Sequence, residues 1–567
     1  MVTSLEGFKR TREEVAERVR RHWSAAPLRV LIGMGSCGLA AGAQAVCQAM
    51  VEEMQRRGKP AVCSPTGCIG WCEQEVLVDV VRPGEPRVTY GRITVDRVPR
   101  LVEEVLIKGH HLEEWVVGRI GGQGGLPGAE LYPGNNFFAP QNRQLLARCG
   151  FIDPESIEEY IATGGYEALV RALEGMDGDR IIEEVKQSRL RGRGGAGFPV
   201  GLKWDLTRKA PGGKKYVVCN ADEGDPGAYI DRALLDGDPH AVIEGMIICA
   251  YAIGADEGYI YIREEYPVAV HRVRQAIVQA NDMGLLGDNI LGTGFNFRLK
   301  VKVGADAYVC GEETALLASI EGERGMPRTR PPYLTTHGLW ARPTVLNNVE
   351  SFANIPLIVK QGGGWYASLG TERSRGTKLF SLSGKVARPG LVELELGTPL
   401  RVLVEQVGGG VSNGRALKAI QIGGPMGGCL PASLLDTPLD YESMIQAGAM
   451  LGKGGVLLLD EGDCMVDVAR YFTAFAVEES CGKCTPCREG TQRILEILEG
   501  ICAGRGTPED LEKLERLAPV MEGAALCGLG QAAPTPVKTA LRFFRDEFEA
   551  HIRHNRCPAG VCQGLAG

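Results

Sequence analysis

Apolar residues occur in two alternating patterns along the chain, as short continuous runs and as longer segments with helical spacing. Within the first 105 residues, helical spacing at 8–23 and 39–57 predicts two helices. Apolar runs at 28–35 and 76–81 predict two strands, the first ending in a glycine turn. Residues 1–105 are therefore expected to form a small α/β unit.

A second α/β alternation follows a segment without apolar periodicity. Residues 118–146 are rich in Gly, Pro and Asn and predict an extended linker, which we place at 106–150. The alternation beyond it predicts an α/β domain over 151–345. Its predicted helices begin at 154, 178 and 266, and its predicted strands span 216–220, 258–263 and 297–303.

The remainder of the chain changes pattern twice. From residue 376 the strands become short and glycines frequent, with one helix predicted at 400–407, so 346–460 is expected to be a small α+β domain. Helical spacing from Val466 onward predicts a bundle of three or four helices over 461–550, followed by a Cys/His-containing tail at 551–567.

Composition and charge limit the classes of function. The 567-residue chain has a formal net charge of −7 and no basic tail, which argues against nucleic-acid binding. The N-terminus lacks the apolar core of a signal peptide, and no segment approaches about 18 consecutive apolar residues. We therefore expect a cytoplasmic protein without a membrane span. Eighteen cysteines without a secretory signal predict metal binding rather than disulfides.

Four cysteines of the helical region have the spacing of an iron–sulfur site. Cys481, Cys484 and Cys487 stand at i, i+3 and i+6, and Cys527 is the best candidate for the fourth ligand. A structural zinc site is the alternative, although such sites usually pair two separated C-x2-4-C arms. The spacing therefore predicts a 4Fe-4S cluster and an electron carrier.

The N-terminal unit carries a second candidate iron–sulfur site. Cys37 follows the first predicted strand, and Cys68 and Cys72 form a C-x3-C pair before a later strand. A C-x3-C pair with a distant partner is a half-site for a 2Fe-2S cluster.

The tail carries a candidate zinc site. His551, Cys557 and Cys562 offer one imidazole and two thiolates, and Cys464 would complete a set of four ligands. A frayed tail with free thiols is the alternative.

A glycine loop at 192–197 matches G-x-G-x-x-G. The dinucleotide fingerprint requires a strand immediately before the glycines, whereas residues 179–186 have helical spacing, so a standard Rossmann turn is not predicted. Flanked by Arg191, Arg193 and Lys203, the loop can bring backbone N–H groups and positive charge to a phosphate or a flavin. A purely structural glycine turn is the alternative.

Carboxylates occur at two further places that favour ligand binding. Asp222, Glu223 and Asp225 follow the first strand of the second α/β domain and suit ribose hydroxyls or an amide. Glu312 and Glu313 begin a predicted helix, where capping and ligand contact are both open.

These motifs occur in a fixed order and together resemble the NADH-binding flavoprotein subunit of respiratory complex I. The same subunit type occurs in NAD-linked formate dehydrogenases and in multimeric, electron-bifurcating hydrogenases. The resemblance covers residues 150–555 and rests on four segments: Gly192–Pro199 with Gly201–Trp204, Cys219–Gly227, Cys310–Thr314 and Glu479–Gly490.

The resemblance implies FMN and NAD(H) as cofactors. NADH would stack on the flavin, with Phe198 and Lys203 lining the site. Glu313 resembles the acid that faces the adenosine ribose and would repel a 2′-phosphate, so NAD is favoured over NADP. Leu206 replaces an aromatic that clamps the adenine in relatives, and Tyr333 would supply part of that contact. The residues implied for the flavin pocket are Gly192, Arg193, Gly194, Gly195, Ala196, Gly197, Asn220, Asp222, Glu223, Asp225, Tyr308, Gly311, Glu312, Asn347 and Asn348.

The first 105 residues and the tail resemble the hydrogenase-type branch. In that branch the N-terminal unit is thioredoxin-like and binds a 2Fe-2S cluster through C-x4-C and C-x3-C. Here the first pair becomes Ile32-x4-Cys37, so Cys63 or a non-cysteine group would have to complete the set with Cys68 and Cys72. The implied fold is a multidomain α/β protein. Its implied parts are a thioredoxin-like domain, a Rossmann-like FMN/NADH domain, a ubiquitin-like (SLBB-type) α+β domain and a helical bundle with the 4Fe-4S cluster.

The resemblance implies an NADH:acceptor oxidoreductase that converts two-electron into one-electron transfer. A hydride would pass between NAD(H) and FMN, and single electrons between FMN and the 4Fe-4S cluster, without a catalytic side chain. The expected partners are other iron–sulfur subunits of a redox complex: a thioredoxin-like 2Fe-2S subunit and a catalytic subunit that takes the electrons onward. Bifurcation, a formate dehydrogenase, a complex I-type subunit and a flavin-less structural subunit remain alternatives.

Overall fold

The computed structural model describes residues 2–26, 28–59, 63–121 and 131–565, which form three β-sheets and a C-terminal set of helices. Within these ranges no helix is both long and apolar enough to cross a membrane. The mixed α/β class predicted from the sequence is confirmed.

The first sheet belongs to the N-terminal unit and has the strand order β2-β1-β3-β4-β5. β1 and β2 are parallel and the other pairs are antiparallel. The strands are β1 (Arg29–Gly33), β2 (Cys63–Thr66), β3 (Val78–Val81), β4 (Arg87–Tyr90) and β5 (Val116–Ile120). The helices are α1 (Leu5–Ala25), α2 (Ser36–Ala40), α3 (Ala43–Arg56) and α4 (Val98–Arg100), the last continuing as a wider helical segment, Leu101–Ile107.

Two details of this unit differ from the sequence prediction. The helix expected at 39–57 is divided into α2 and α3, because Gly42 adopts a left-handed φ of 98° between them. Helix α1 packs against the next domain rather than against the first sheet. Its Phe8, Val15 and Val19 join the core of that domain, since these three residues share one helical face.

The segment expected to be an extended linker is partly packed in the structure. β5 pairs with β4, and Tyr132, Phe137 and Phe138 are buried against Trp71 of the N-terminal unit. Aromatic rings bury a large apolar area, which explains why this Gly/Pro-rich stretch folds back. The glycine-rich residues 122–130 lie outside the described residues.

The second sheet is fully parallel, with the order β8-β7-β6-β9. Its central strands are continuous apolar runs, as expected for a sheet covered on both faces. The strands are β6 (Tyr216–Ala221), β7 (Glu257–Arg263), β8 (Arg298–Gly304) and β9 (Thr344–Asn348). The helices are α5 (Ile157–Ala162), α6 (Glu167–Gly175), α7 (Gly178–Gln187), α8 (Val200–Lys209), α9 (Ile230–Gly237), α10 (Pro239–Ile253), α11 (Pro267–Asp282), α12 (Glu313–Glu321), α13 (Leu334–His337), α14 (Val349–Gln361) and α15 (Gly363–Tyr366).

The third sheet is mixed, with the order β11-β10-β14-β12-β13; β10 and β14 are parallel. The helix predicted at 400–407 is present as Val402–Val407. The labelled elements are β10 (Thr377–Gly384), β11 (Gly390–Glu395), β12 (Leu417–Ile422), β13 (Cys429–Pro431), α16 (Tyr441–Ala447) and β14 (Gly455–Asp460).

Six helices follow, rather than the three or four predicted: α17 (Met465–Glu478), α18 (Thr485–Cys502), α19 (Pro508–Ala524), α20 (Gly528–Ala532), α21 (Thr535–Phe543) and α22 (Arg545–His554). Their shared core includes Ile494, Leu498, Leu514 and Phe548. The extra helices are short and arise where Cys527, Pro534 and Phe544 interrupt the helical spacing.

Candidate active site and metal centres

The four cysteines predicted to hold a cluster line one cavity. Cys481 and Cys484 lie between α17 and α18, Cys487 lies in the first turn of α18, and Cys527 immediately precedes α20. The cavity wall is completed by Val309, Pro327, Ser480, Lys483, Leu526 and Leu529.

Local hydrogen bonds shape the loop that carries the first two thiols. Gly482, with a left-handed φ of 71°, donates its N–H to Ser480 Oγ, which lies 3.3 Å from Cys487 Sγ. Arg488 donates to the Gly482 carbonyl at 2.8 Å, and Lys483 Nζ donates to the Pro327 carbonyl at 2.7 Å. The short S-C-G-K-C turn is therefore held from both sides.

The donor set fits an iron–sulfur cluster better than a single zinc ion. Burial raises the pKa of Cys487 to about 11, the Ser480 hydrogen bond opposes this shift, and the charges of Cys484, Cys527 and Cys481 add to it. All four thiols around the cavity would be ionised together only beside a cationic centre, which lowers their pKa. A single ion needs ligand atoms that all lie close to one another. Within the described residues, the four cysteines do not form a group whose ligand atoms are all within 4.8 Å, so the wider spacing of a cluster fits them better.

The C-terminal site is compact enough for a single ion. Cys464, His551, Cys557 and Cys562 are buried, and their ligand atoms all lie within 4.8 Å of one another. His551 Nε2 is 3.4 Å from both Cys464 Sγ and Cys562 Sγ. His551 Nδ1 is 2.7 Å from the Glu547 carbonyl, which favours a proton on Nδ1 and leaves Nε2 available for a metal. This geometry fits a tetrahedral Cys3His zinc site rather than a frayed tail.

The N-terminal site brings together three of the four cysteines suggested for it. Cys37, Cys68 and Cys72 line one cavity, and Cys68 Sγ lies 3.8 Å from Cys72 Sγ. The suggestion that Cys63 completes the set is wrong: Cys63 does not line this cavity, and its thiol lies beside Cys47 of α3. Cys37 lies in the first turn of α2 rather than on a loop.

The glycine loop follows α7 and not a strand, as predicted. It closes on itself, because the Gly192 N–H donates to the Phe198 carbonyl at 2.9 Å. Gly195 and Gly197 have left-handed φ values of 115° and 65°, and Ala196 at the tip is exposed. A Cβ at Gly194 would lie 3.1 Å from the Asn348 Cβ, so the loop lies directly over the end of β9.

The side chains of Arg191 and Arg193 are engaged by other protein groups. The Arg193 guanidinium is buried and donates to the Tyr366 hydroxyl and to the carbonyls of Arg375 and Thr377. Arg191 donates to the Gly197 carbonyl and forms an ion pair with Glu442 at 2.5 Å. The prediction that the charges of Arg191 and Arg193 serve a phosphate or a flavin gains no support from these contacts, because both side chains brace the loop.

Lys203 is a further cation near the loop and is partly buried. Its Nζ donates to the Leu346 carbonyl at 2.9 Å and lies 5.9 Å from the centre of the Phe198 ring. Burial lowers the pKa of Lys203, and the charge of Glu313 opposes this shift. Phe198 is 44% exposed.

The polar residues after β6 and in β9 are tied to one another. The Asn220 side chain donates to the Gly311 carbonyl at 2.8 Å and accepts from the Asp222 N–H. Asn347 accepts from Trp204 Nε1, and the Asn348 side chain donates to Asp231 Oδ2 at 2.6 Å. The carboxyl ends of these adjacent parallel strands thus meet below the glycine loop. The residues involved are Asn220, Asp222, Asn347 and Asn348.

The carboxylates after β6 have protein partners. Asp222 pairs with Arg263 at 2.9 Å, Glu223 accepts three N–H groups at the start of α9, and Asp225 accepts from the Tyr308 hydroxyl at 2.7 Å. Burial raises the pKa of Asp222 to about 6 despite the Arg263 charge. The prediction that this group meets ribose hydroxyls gains no support from these contacts, which organise the loop.

Lys453 is a central residue that the sequence did not single out. It precedes β14, is buried, and forms an ion pair with Asp231 Oδ2 at 2.6 Å. Burial alone would lower the pKa of Lys453, yet the charges of Asp231, Glu223 and Asp225 hold it above its ordinary value. A lone lysine within the glycine-rich stretch 452–455 was the available signal.

The two acids at the start of α12 have different roles. Glu312 caps the helix by accepting from the N–H groups of Thr314 and Ala315, so the capping interpretation holds for it. Glu313 forms an ion pair with Arg330 at 2.5 Å and remains partly exposed.

A patch of exposed apolar side chains lies along α8. Phe198, Leu202 and Leu206 are each more than two-fifths exposed. α13, which follows the exposed Tyr333, packs against α8. Exposed apolar groups beside a polar loop suit a flat, partly apolar ligand such as an adenine ring.

Comparisons with known proteins place these sites in a family. The Nuo51 FMN-binding domain matches residues 185–357, the NADH-ubiquinone oxidoreductase-F iron-sulfur binding region matches 467–551, and the SLBB domain matches 379–430.

Relatives match over most of their length. The HndC subunit of an NADP-reducing hydrogenase from Solidesulfovibrio fructosivorans is 50% identical over 425 residues, 75% of this chain and 86% of that protein. The F 2 subunit of the NADH-quinone oxidoreductase of Rhizobium meliloti is 49% identical over 73% of this chain and 98% of its own. A crystal structure of an NAD+-reducing [NiFe]-hydrogenase in the H2-reduced state covers 93% of this chain and 84% of its own, with 32% identity and a TM-score of 0.65.

Proposed function

The chain belongs to the family of NADH-binding flavoprotein subunits with FMN and a 4Fe-4S cluster, and on this premise we propose that it transfers electrons between NAD(H) and other iron–sulfur subunits of a hydrogenase-type complex. Membership makes it a flavoprotein iron–sulfur oxidoreductase. We further propose that its complex is of the hydrogenase type, that its partners are iron–sulfur subunits, and that the residues named below form its sites.

The observation that carries the proposal is the direct connection between the glycine-loop region and the cysteine cavity. The Tyr308 hydroxyl donates a hydrogen bond to Asp225, in the loop after β6. Its main-chain N–H donates one to Glu479, two residues before Cys481. The next residue, Val309, lines the cysteine cavity. One short segment therefore spans both sites, as electron transfer between two cofactors requires.

FMN, when bound, takes a hydride from NADH and gives up its electrons singly, and the 4Fe-4S cluster accepts single electrons. In this proposal, the backbone of 192–197 and Lys203 bind the phosphate of the flavin nucleotide. Asn220, Asn348 and Gly311 border its pocket. Asp222, Glu223, Asp225, Tyr308, Glu312 and Asn347 act by holding these groups in place.

We place the nicotinamide nucleotide over Phe198 and the exposed face of α8, with the adenine between Leu206 and Tyr333. Glu313 would then face the adenosine ribose and disfavour a 2′-phosphate. The Arg330 ion pair offsets part of that charge, and one relative belongs to an NADP-reducing hydrogenase. We propose a preference for NADH that is limited by Arg330.

Further parts of the proposal concern the other units. We propose a thioredoxin-like N-terminal domain at 1–105, a Rossmann-like domain at 151–345, a ubiquitin-like domain at 346–460 and a zinc site in the tail. A formate dehydrogenase or a complex I-type assembly is the alternative setting. The hydrogenase setting is favoured because a hydrogenase structure covers 93% of this chain, N-terminal unit included.

The flavin spectrum and the NADH:ferricyanide activity of the purified chain test the enzyme proposal against a flavin-less structural role. We expect about one FMN per chain and ready turnover with NADH. A chain without a flavin spectrum and without this activity would support the structural alternative. Co-purification of a hydrogenase or of a formate dehydrogenase distinguishes the two settings.

A further inference from the structure

The N-terminal cavity has three thiol ligands and needs a fourth. Iron–sulfur clusters of this kind take four protein ligands, and Cys37, Cys68 and Cys72 supply three. Ile32, where the resemblance expects a fourth cysteine, is fully buried in the apolar core, and Cys63 faces Cys47. The missing ligand must therefore come from another wall of the cavity.

That wall belongs to the neighbouring domain. From this domain, the cavity is lined by the residue before α9, by three residues of α9 and by one residue of β11: Tyr229, Arg232, Ala233, Asp236 and Leu391. Of these, an arginine and two apolar residues cannot bind iron, and the Tyr229 hydroxyl donates to the Leu382 carbonyl. Ser36 also lines the cavity, but its hydroxyl already donates to Asp236. Among the described lining residues, Asp236 therefore offers the one oxygen ligand that is free for this role.

Only one of the two oxygens of the Asp236 carboxylate has hydrogen-bond donors within the described residues. It is 1% exposed, and its Oδ2 accepts from both the N–H and the Oγ of Ser36, at 2.9 and 2.7 Å. Within the described residues, Oδ1 is buried and has no hydrogen-bond partner. A buried carboxylate oxygen without a donor is costly unless it meets a cation.

We propose that Asp236 is the fourth ligand of an iron–sulfur cluster held by Cys37, Cys68 and Cys72. The 3.8 Å between Cys68 Sγ and Cys72 Sγ suits two ligands of one tetrahedral metal with bonds of about 2.3 Å. Cys37 follows Ser36, the residue that holds Asp236, so Cys37 and Asp236 are placed to serve the second iron. The site fits a 2Fe-2S cluster.

The proposed ligand set joins two domains. The three cysteines come from the N-terminal unit and Asp236 from the flavin domain, so the cluster would bridge them. The Arg232 guanidinium lines the same cavity and offsets the negative charge of the thiolates and the carboxylate.

Glu75 is the competing carboxylate. Its Oε1 also has no partner within the described residues. Its Oε2 accepts from the Leu77 N–H and lies 3.1 Å from the positions that a Cβ would take at Gly33 and Gly38. Glu75 does not line the cavity, but its carboxylate lies beside the Cys68 thiol, so it is the alternative ligand that the test must separate from Asp236.

The test is the iron and acid-labile sulfide content of the whole chain, purified without oxygen and reconstituted with ferrous iron and sulfide. We expect about six irons in the wild type, from one 4Fe-4S and one 2Fe-2S cluster, and about four in Asp236→Asn. Asparagine keeps an oxygen for the two Ser36 hydrogen bonds and replaces the ligand oxygen by an amide. Asp236→Cys should retain about six irons with an altered EPR spectrum. Glu75→Gln and the control Glu73→Gln should also retain about six.

Mössbauer spectroscopy of the 57Fe-loaded wild type tests the same ligand without a mutation. One ferric site of the 2Fe-2S cluster should show the larger isomer shift of a mixed oxygen and sulfur environment. Two equal all-thiolate sites would overturn the proposal. So would six irons retained by Asp236→Asn, loss of two irons in Glu75→Gln alone, or a wild type that binds only four.

This inference deepens the proposed function, and its failure is distinguishable from failure of that function. FMN content and NADH:ferricyanide turnover report on the flavin site, whereas the iron count and the Mössbauer spectrum report on the N-terminal cavity. A chain that binds FMN and oxidises NADH but holds only four irons would retain the proposed function and lose Asp236 as a ligand.

Discussion

The main-chain N–H of Tyr308 donates a hydrogen bond of 2.9 Å to the side-chain carboxylate of Glu479. The Tyr308 ring also packs edge-on against Phe475 of α17, with 5.2 Å between the ring centres. These contacts fix the segment after β8 to the helix that leads into the cysteine loop. The distance between the two cofactor sites is therefore set by protein groups rather than by the cofactors themselves.

Gly530→Ala should impair the 4Fe-4S site. A Cβ at Gly530 would lie 2.9 Å from the Cys487 Cβ and 2.8 Å from the Ala525 Cβ, which forces the cysteine or α20 to move. Overpacking of this kind costs about 1–3 kcal/mol. Iron content should fall, while FMN content stays the same. Gly528→Ala, in the same helix with open space around it, is the matched control, and equal iron in both variants would contradict the geometry.

Glu313→Gln should make the enzyme more tolerant of NADPH. Removing the carboxylate removes its repulsion of a 2′-phosphate, and we expect the kcat/KM ratio of NADPH to NADH to rise about tenfold, or about 1.4 kcal/mol. Arg330→Gln should change the ratio in the opposite direction, because it leaves the Glu313 charge without its 2.5 Å partner. An unchanged ratio in both variants would remove the specificity role assigned to Glu313.

A His551→Ala, Cys557→Ala variant should lose about one zinc per chain, because a Cys3His site takes one ion. The comparison is His554→Ala, an exposed histidine of the same helix, which should keep its metal. Elemental analysis after gel filtration measures the difference. The same zinc content in both variants would contradict the zinc assignment.

The stability of the flavin domain should fall in acid through His240. Burial lowers the pKa of His240 to about 4 from an ordinary value of 6.5. Between these values the unfolded chain binds a proton that the folded chain does not, so lowering the pH favours unfolding. The expected loss between pH 7 and pH 5 is about 2 kcal/mol.

Thermal unfolding of His240→Gln against the wild type from pH 7 to pH 5 isolates this contribution. The variant should show a smaller fall in melting temperature, because it lacks the titrating group. His271→Gln, at an exposed position of α11, is the control and should follow the wild type. Parallel curves for His240→Gln and the wild type would contradict the assignment.

The sequence predicts what depends on local spacing. Thiols at i, i+3 and i+6 converge because the turn between them is short, and the helix before the glycine loop follows from apolar spacing alone. Partners far apart in the sequence are harder to predict. Cys527 was selected because few other cysteines were available for that role, and in the structure it lines the same cavity as the other three. Cys464 was paired with His551 on the same ground, and the two side chains, 87 residues apart in the sequence, lie 3.4 Å from each other.

The errors concern side-chain direction and domain contacts. Spacing does not tell which side of β2 Cys63 faces, nor that Arg193 turns inward to the carbonyls of Arg375 and Thr377. The sequence does not identify Asp236 or Lys453, because each has its partner in another domain: Asp236 bonds to Ser36, and Lys453 pairs with Asp231. Such contacts depend on how two surfaces pack, which periodicity along one chain does not encode.

The most direct test of the account mixes NADH with the purified chain without oxygen and follows flavin absorbance and the EPR signal of the 4Fe-4S cluster together. We predict that the flavin is bleached and that the cluster signal appears in the same sample. Cluster reduction should be slower in Glu479→Ala than in the exposed control Glu478→Ala, because only Glu479 bonds to Tyr308. Flavin bleaching with a cluster that stays oxidised would contradict the account.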